Sequence, residues 1–354
     1  MSLVPEKAWA KSRRNPLQSL RYLPVCTYYF SIPPTTQYNS SFHMNLSFYT
    51  RNLVRKTIIG RPTIQMMSLL TPIAREFRTL AQCPQLAIAE AEDDIEIRTK
   101  YRPFLLDSEM EATDWISQLE LDSVVTQVEE HLAKTSSRLK VLVLYGSLRQ
   151  RSYSKLMAFE ASRILHRLGC DVRVFNPKDL PIRDSVDASH PSVQELRELS
   201  LWSDGHIWCS PEQHGNLTAV FKNQIDWIPL ATGSVRPTQG RTLSVIQVNG
   251  GSQSFNAVNS LRILGRWMRM FTCPNQSSLP MAWKQFEDEG GDGSGKARLL
   301  PSGNRERLVD CMEEFVRYTI IMRPHFEIFG DRFSERKERA EKEKKKNEVP
   351  VDKI

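Results

Sequence analysis

From Arg138 onward the chain alternates short, unbroken apolar runs with longer stretches in which apolar residues return every three or four positions. Runs of the first kind are Leu139–Tyr145, Asp171–Phe175, Gly205–Cys209 and Arg241–Val248, and Thr272–Pro280 carries a weaker fifth. Strands buried on both faces read this way, so each run predicts a strand of a parallel sheet. The stretches Ser154–Leu168, Ser192–Leu201, Asn216–Trp227 and Asn256–Met270 predict the intervening helices. In the last of these, Val258, Leu261, Leu264, Gly265 and Met268 share one side. Gly169 is placed to end the first helix, and Arg305–Met322 predicts a final core helix. Strands separated by helices imply right-handed crossovers, and so an α/β fold with a doubly wound, five-stranded parallel sheet and helices on both faces. This core spans about 138–330.

The flanking segments follow other rules. Residues 1–74 hold one acid, Glu6, against Lys7, Lys11, Arg13, Arg14, Arg21, Arg51, Arg55, Lys56 and Arg61. An acid-poor segment of this kind reads either as an organellar targeting extension or as residues upstream of a true start at Met66 or Met67, and disorder is expected there. Residues 75–137 form an N-terminal arm. Its first part, to Leu106, turns acidic and is expected to be irregular. Tyr101-Arg-Pro-Phe-Leu-Leu106 follows as an extended anchor, and Trp115–Leu132 as one or two short helices. The arm packs onto the core or onto a neighbouring subunit. Gly290–Lys296 reads as a flexible insertion, and 331–354 as a charged, solvated tail.

Charge and cysteine usage narrow the function. The net charge of +7 is concentrated at the N-terminus, with no basic-aromatic module for nucleic acid. No apolar run is long enough to span a membrane. The six cysteines are scattered, with no CxxC and no zinc spacing, so free thiols in a reducing compartment and no metal site are expected.

Ligands of such sheets sit beyond the carboxyl ends of the strands, where strand order reverses, and the chain places three unusual loops there. Gly146-Ser-Leu-Arg-Gln-Arg-Ser-Tyr-Ser154 links the first strand to a helix N-terminus. Free amides and the helix dipole favour an anion in such a loop. The hydroxyls of Ser147, Ser152 and Ser154, with Tyr153 between them, and the Arg149 guanidinium suit a terminal monophosphate. The pattern is neither G-x-x-x-x-G-K-[ST] nor G-x-G-x-x-G. The plain alternative is a turn whose serines only cap the helix. In Ser210-Pro-Glu-Gln-His-Gly-Asn216, Pro211 and Gly215 fix a turn, Asn216 is placed to cap the next helix, and Glu212 and His214 face a ligand or solvent. In Asn249-Gly-Gly-Ser-Gln-Ser-Phe-Asn256, Gly250 and Gly251 let backbone approach a ligand closely, beside Ser252 and Gln253. One phosphate pocket with two polar rims suits a mononucleotide with a large planar head. Flavin mononucleotide on a flavodoxin-like sheet is the natural candidate.

These residues carry a resemblance. From about Tyr101 to His325 the chain resembles the arsenical-resistance (ArsH) flavoproteins of the NADPH-dependent FMN reductase family. The first loop is shared across many FMN reductases. Gln224-Ile-Asp-Trp-Ile-Pro-Leu230, Gly250-Gly-Ser-Gln-Ser-Phe-Asn-Ala-Val-Asn259 and Leu264-Gly-Arg-Trp-Met-Arg-Met270 are more specific. The resemblance implies a flavodoxin-like homotetramer that passes hydride from NADPH to FMN. Electrons then go to acceptors such as quinones, azo dyes or oxygen, with a role in oxidising trivalent organoarsenicals. A general quinone, azo-dye or FMN reductase and a non-enzymatic flavodoxin-like carrier are the alternatives. Cytoplasmic placement is expected, or mitochondrial if the basic extension is real. Ser147, Arg149, Ser152 and Ser154 would hold the phosphate. Pro211, Glu212, His214, Gly215 and Asn216 would line the flavin edge, and Gly250, Gly251, Ser252 and Gln253 would close the other rim. Hydride transfer calls for no acid, base or nucleophile, so no catalytic residue is named. Cys209 is expected to be a buried small hydrophobe. Trp202, Trp208, Trp227 and Trp267 are expected in the core or a subunit interface. Arg262, Arg266 and Arg269 form either a solvated face or a contact to the NADPH 2′-phosphate.

Overall fold

The computed structural model describes residues 86–107, 110–111, 114–230, 237–288, 296–330 and 332–347, all within one compact unit. The expectations for residues 1–74, and most of the Gly/Ser insertion, lie outside the described residues. In chain order the elements are α1 (Ile95–Tyr101), α2 (Asp122–Thr135), β1 (Lys140–Tyr145), α3 (Tyr153–Arg167), β2 (Asp171–Val174), α4 (Pro191–Trp202), β3 (Gly205–Gln213), β4 (Asn216–Leu217), α5 (Ala219–Trp227), β5 (Thr242–Val248), α6 (Asn256–Trp267), β6 (Phe271–Thr272), β7 (Ser277–Leu279), α7 (Gly303–Met322), α8 (Phe326–Gly330) and α9 (Phe333–Asn347).

The sheet order is β2-β1-β3-β5, with all neighbours parallel. The fifth position is shared by β6 and β7, which pair in parallel with the start and the end of β5. Arg262 on α6 holds this break together. It donates to Gln276 Oε1 (2.6 Å) and to the carbonyls of Cys273 (2.9 Å) and Pro274 (2.7 Å). The expected continuous fifth strand is therefore two short ones, and Arg262 is committed to structure. The order reverses between β1 and β3, as in flavodoxin-like folds.

One face of the sheet is covered by α3, α7 and the arm. Phe159, Ile164, Phe315 and Val316 are buried there with Phe104, Ile116, Val124 and Val128. The other face is covered by α4, α5 and α6, around Trp208, Phe221, Trp227 and Leu261. Of the four expected structural tryptophans, Trp208 and Trp227 are fully buried, Trp202 is half-buried and Trp267 is exposed. The arm's apolar side chains are thus taken up by their own core, at roughly 1.5–3 kcal/mol for each such side chain fully buried. Arginines fix its path by donating to carbonyls: Arg163 Nε to Phe104 O (2.6 Å), Arg167 to Ile116 O and Leu119 O, and Arg138 to Leu86 O. The acidic part of the arm is not irregular throughout. Asp94 accepts from the amides of Glu96 and Ile97 and so caps α1. The buried Glu160 of α3 pairs with Arg298 (2.7 Å), which also meets Asp114, so the chain returning from the insertion is tied to α3 and the arm at Arg298. The tail from Phe333 to Asn347 is an exposed helix.

Candidate functional site

The carboxyl edge of β1, β3 and β5 is where the three loops meet. Gly146 begins the first. A Cβ built on it would lie 2.9 Å from Phe221 Cβ and Thr218 Oγ1, and 3.0 Å from Pro211 Cδ. Only a glycine lets β1 turn away this close to the end of β3. Thr218 Oγ1 donates to Gly146 O (2.6 Å) and accepts from Phe221 N, capping α5. Thr218, and not Asn216, is therefore the cap, and it joins the first loop to the second. Gln224, fully buried, donates to Tyr145 O (2.9 Å) just before the turn.

In the first loop, Ser152 accepts from Lys155 N (3.1 Å) and caps α3. Its hydroxyl lies 3.1 Å from that of Ser154, and both residues are buried, at 3% and 1% exposure. Ser152 thus carries the capping role weighed from the sequence, and Ser154 is its hydroxyl neighbour in the first turn of the helix. Ser147 Oγ accepts from Arg149 N (3.3 Å). The Arg149 side chain is exposed and makes no ion pair or side-chain hydrogen bond with a described residue. Tyr153 stacks on Phe286, with ring centroids 6.0 Å apart, and Arg151 lies over its ring.

The second loop departs from expectation. β3 does not stop at Cys209 but runs to Gln213 and folds back through His214 and Gly215 into β4. His214 (φ 51°) and Gly215 (φ 70°) are both left-handed, the geometry of a tight two-residue hairpin. Pro211 is tolerated because its nitrogen faces the side that β1 has left after Gly146. His214, Gly215 and Asn216 are exposed at the tip. Glu212 turns toward the third loop, where its Oε2 accepts from Gln247 Nε2 (2.9 Å), Ser254 Oγ (2.7 Å) and Ala257 N (3.4 Å). Gln247, buried in β5, also donates to Ser254 O and accepts from Val258 N (2.9 Å). Two side chains from the sheet therefore satisfy the N-terminal amides of α6, whose N-cap residue Phe255 makes no side-chain cap.

In the third loop Gly250, Gly251, Ser252 and Gln253 are exposed. A Cβ on Gly250 or Gly251 would meet nothing within 4 Å, and neither glycine has positive φ. Nothing in the described chain requires glycine at these positions, whereas a ligand lying against the backbone would. Asn249 Oδ1 is buried with no hydrogen-bond partner. The cradle therefore fits a flat, polar-edged group here and an anion beside Arg149.

A fourth wall was not read from the sequence. Ala282 N donates to Asn249 O, Met281 N to Gly251 O and Trp283 Nε1 to Gly250 O. Phe286 meets Tyr153, and Glu287 O accepts from Arg151. The segment 281–287 thus bridges the first and third loops. Its aromatic residues at i and i+3 were a signal, but they lie beyond the last strand, where no ligand loop was sought. Among the described residues no cluster of His, Cys, Asp or Glu could hold a metal, and no helix is long and apolar enough to cross a membrane. Cys170, Cys209, Cys273 and Cys311 are unpaired and buried, as expected for Cys209. Burial pushes the thiols of Cys170, Cys273 and Cys311 up to about 12, and that of Cys209 up as well.

A flavodoxin-like sheet with a hydroxyl- and arginine-bearing loop at a helix N-terminus and two open glycines at its switch point fits a flavin-binding oxidoreductase of the FMN reductase class. The family model for NADPH-dependent FMN reductases matches residues 139–284. The NADPH-dependent FMN reductase ArsH of Rhizobium meliloti (strain 1021) is 56% identical over 208 residues, covering 59% of this chain and 83% of the relative. ArsH of Acidithiobacillus ferrooxidans is 51% identical over 225 residues, covering 62% and 92%. The chain belongs to the ArsH family of NADPH-dependent FMN reductases, enzymes whose cofactor is FMN and whose reductant is NADPH. Among solved structures, the flavoenzyme NAD(P)H:(acceptor) oxidoreductase FerB from Paracoccus denitrificans superposes with a TM-score of 0.40 at 24% identity, over 51% of this chain and 97% of that one.

Proposed function

We propose that the three loops hold FMN, with its phosphate in the loop from Gly146 to Ser154 and its ring against Gly250–Gln253 and the β3–β4 hairpin. The observation that carries this is the pair of glycines with open space above them, beside an arginine with no side-chain partner among the described residues. Bound there, FMN would supply the redox chemistry of hydride uptake from NADPH and electron delivery to an acceptor. The chain's own residues do three things. Arg149 and Ser147 hold the phosphate. The Glu212–Gln247–Ser254 network fixes the rim. Gly146 and Thr218 set the spacing between the first two loops. Family membership supports trivalent organoarsenicals as substrates, with quinones and oxygen as further acceptors, in a homotetramer. The unpaired cysteines fit a cytoplasmic setting.

The test is the visible spectrum of the purified protein before and after NADPH is added without oxygen. Bound flavin that bleaches supports the reading. A protein without flavin, or a flavin that NADPH leaves oxidised, overturns it. Steady-state rates on methylated trivalent arsenic and on quinones then decide the substrate class.

A further inference from the structure

Segment 281–287 reaches the third loop through a strained turn. Met281 is left-handed (φ 44°) although it carries a side chain, and such a residue persists only where its surroundings hold it. On one side the third loop holds the turn, through Met281 N to Gly251 O, Ala282 N to Asn249 O and the Trp283 indole N–H to Gly250 O. On the other side the chain pairs with 298–300. Phe286 bridges Leu299 in antiparallel fashion, Glu287 N donates to Arg298 O (3.0 Å) and Leu300 N to Gln285 O (2.8 Å). Arg298 N donates to the Glu287 carboxylate (3.2 Å).

This pairing is fastened to α3 at Arg298. The guanidinium donates to both oxygens of Glu160, Nε to Oε1 (2.7 Å) and Nη2 to Oε2 (2.9 Å), and Nη1 meets Asp114. Leu299 N also donates to Glu160 Oε1 (3.1 Å). Glu160 is fully buried in the middle of α3. A buried ion pair is a weak source of stability, since well-packed apolar side chains of similar volume often do as well. A planar fork on a carboxylate, however, fixes position and direction, which apolar packing at Phe286 and Leu299 does not.

We propose that Arg298 is a positioning residue of the flavin site. Its fork on Glu160 sets the register of 285–287 against 298–300, so that 281–283 meets the backbone of Gly250 and Gly251. Asp114 extends the same hold to the arm. The proposal rests on the FMN reading given above.

The test combines hydrogen exchange of apoprotein with flavin-fluorescence titration by FMN, in Arg298→Lys and Glu160→Gln. Arg298→Lys keeps the charge and loses the fork, and it decides the matter where Glu160→Gln does not fold. In either variant the amides of 281–283 exchange faster than in wild type while those of β5 keep their protection. FMN binds about three- to tenfold more weakly. Trp283→Phe removes the indole donor to Gly250 O, so Arg298→Lys costs less FMN affinity in that background than in wild type. Arg102→Lys loosens another buried arginine pair, between the arm and Asp171 of β2, and leaves both readouts unchanged. Unchanged exchange at 281–283, fully additive losses, or an equal loss of FMN affinity in Arg102→Lys overturns the positioning role while the FMN reading stands. A wild-type protein that takes up no FMN overturns both.

Discussion

Glu212→Gln separates a ligand-facing residue from one that builds the rim. Its Oε2 accepts three hydrogen bonds, two of them at 2.9 Å or shorter. A bond to a charged acceptor contributes about 1.5–3 kcal/mol and a neutral one about 0.5–1.5. Neutralising the acceptor therefore removes about 1 kcal/mol from each of the two short bonds. Losing the anion near the N-terminus of α6 adds about 0.3–1 kcal/mol. The side chain is half-buried, so solvent screening brings the expected net loss to about 1–3 kcal/mol. For a domain of this size that lowers Tm by about 2–4 °C per kcal/mol. The assay is urea and thermal unfolding of apoprotein, beside Ser254→Ala and the double variant. Because the two residues share one bond, the double variant should lose less than the sum. FMN affinity should fall about three- to tenfold as Gly250–Gln253 loosens. An apoprotein as stable as wild type, or fully additive losses, would refute the network as the anchor of this rim.

Gly250→Ala and Gly251→Ala should leave apoprotein stability unchanged, because the new methyl meets no protein atom, yet weaken FMN at least tenfold; fluorescence titration with FMN decides, and unaltered binding would count against the cradle. Arg149→Ala should weaken FMN by roughly tenfold to a few hundredfold and riboflavin hardly at all, with Arg149→Lys recovering part of the loss. Equal losses for both flavins would move the phosphate elsewhere. Burial lowers His166 to about 4 and His206 to about 3, so the unfolded chain binds more protons than the native one below about pH 6.5. Stability is full above that pH and falls as the pH drops, by about 2 kcal/mol per histidine between pH 7 and 5. Urea midpoints across this range that stay flat would contradict it.

The sheet was legible because its strands are apolar on both faces and its helices amphipathic, which leaves few alternatives to a doubly wound order. The glycine-rich third loop was legible for the same reason in reverse, since paired glycines have little use inside such a pattern. The β3–β4 hairpin was hidden by Pro211, which reads as a strand terminator unless one knows that β1 has already turned away. The capping roles of Glu212 and Gln247 join residues 35 positions apart in sequence, a distance over which spacing carries no signal. The acidic helix α1 was missed because its seven residues, none of them buried, are specified by an Asp94 cap rather than by periodicity. Segment 281–287 escaped because its role is to connect loops that are themselves distant in the chain.

The burial of the four described cysteines bears on how long such an enzyme keeps working. A thiol with a pKa of about 12 is ionised in roughly one part in 10⁵ at pH 7, and the thiolate is the form that oxidants and soft metalloids attack. Reduced flavin generates peroxide when it meets oxygen, and trivalent arsenic captures thiolates. The described part of this chain offers neither reagent an accessible cysteine thiolate. How long these cysteines withstand either reagent is therefore set by how often the fold opens, and conditions that loosen the core should make them sensitive to thiol reagents before they abolish flavin binding.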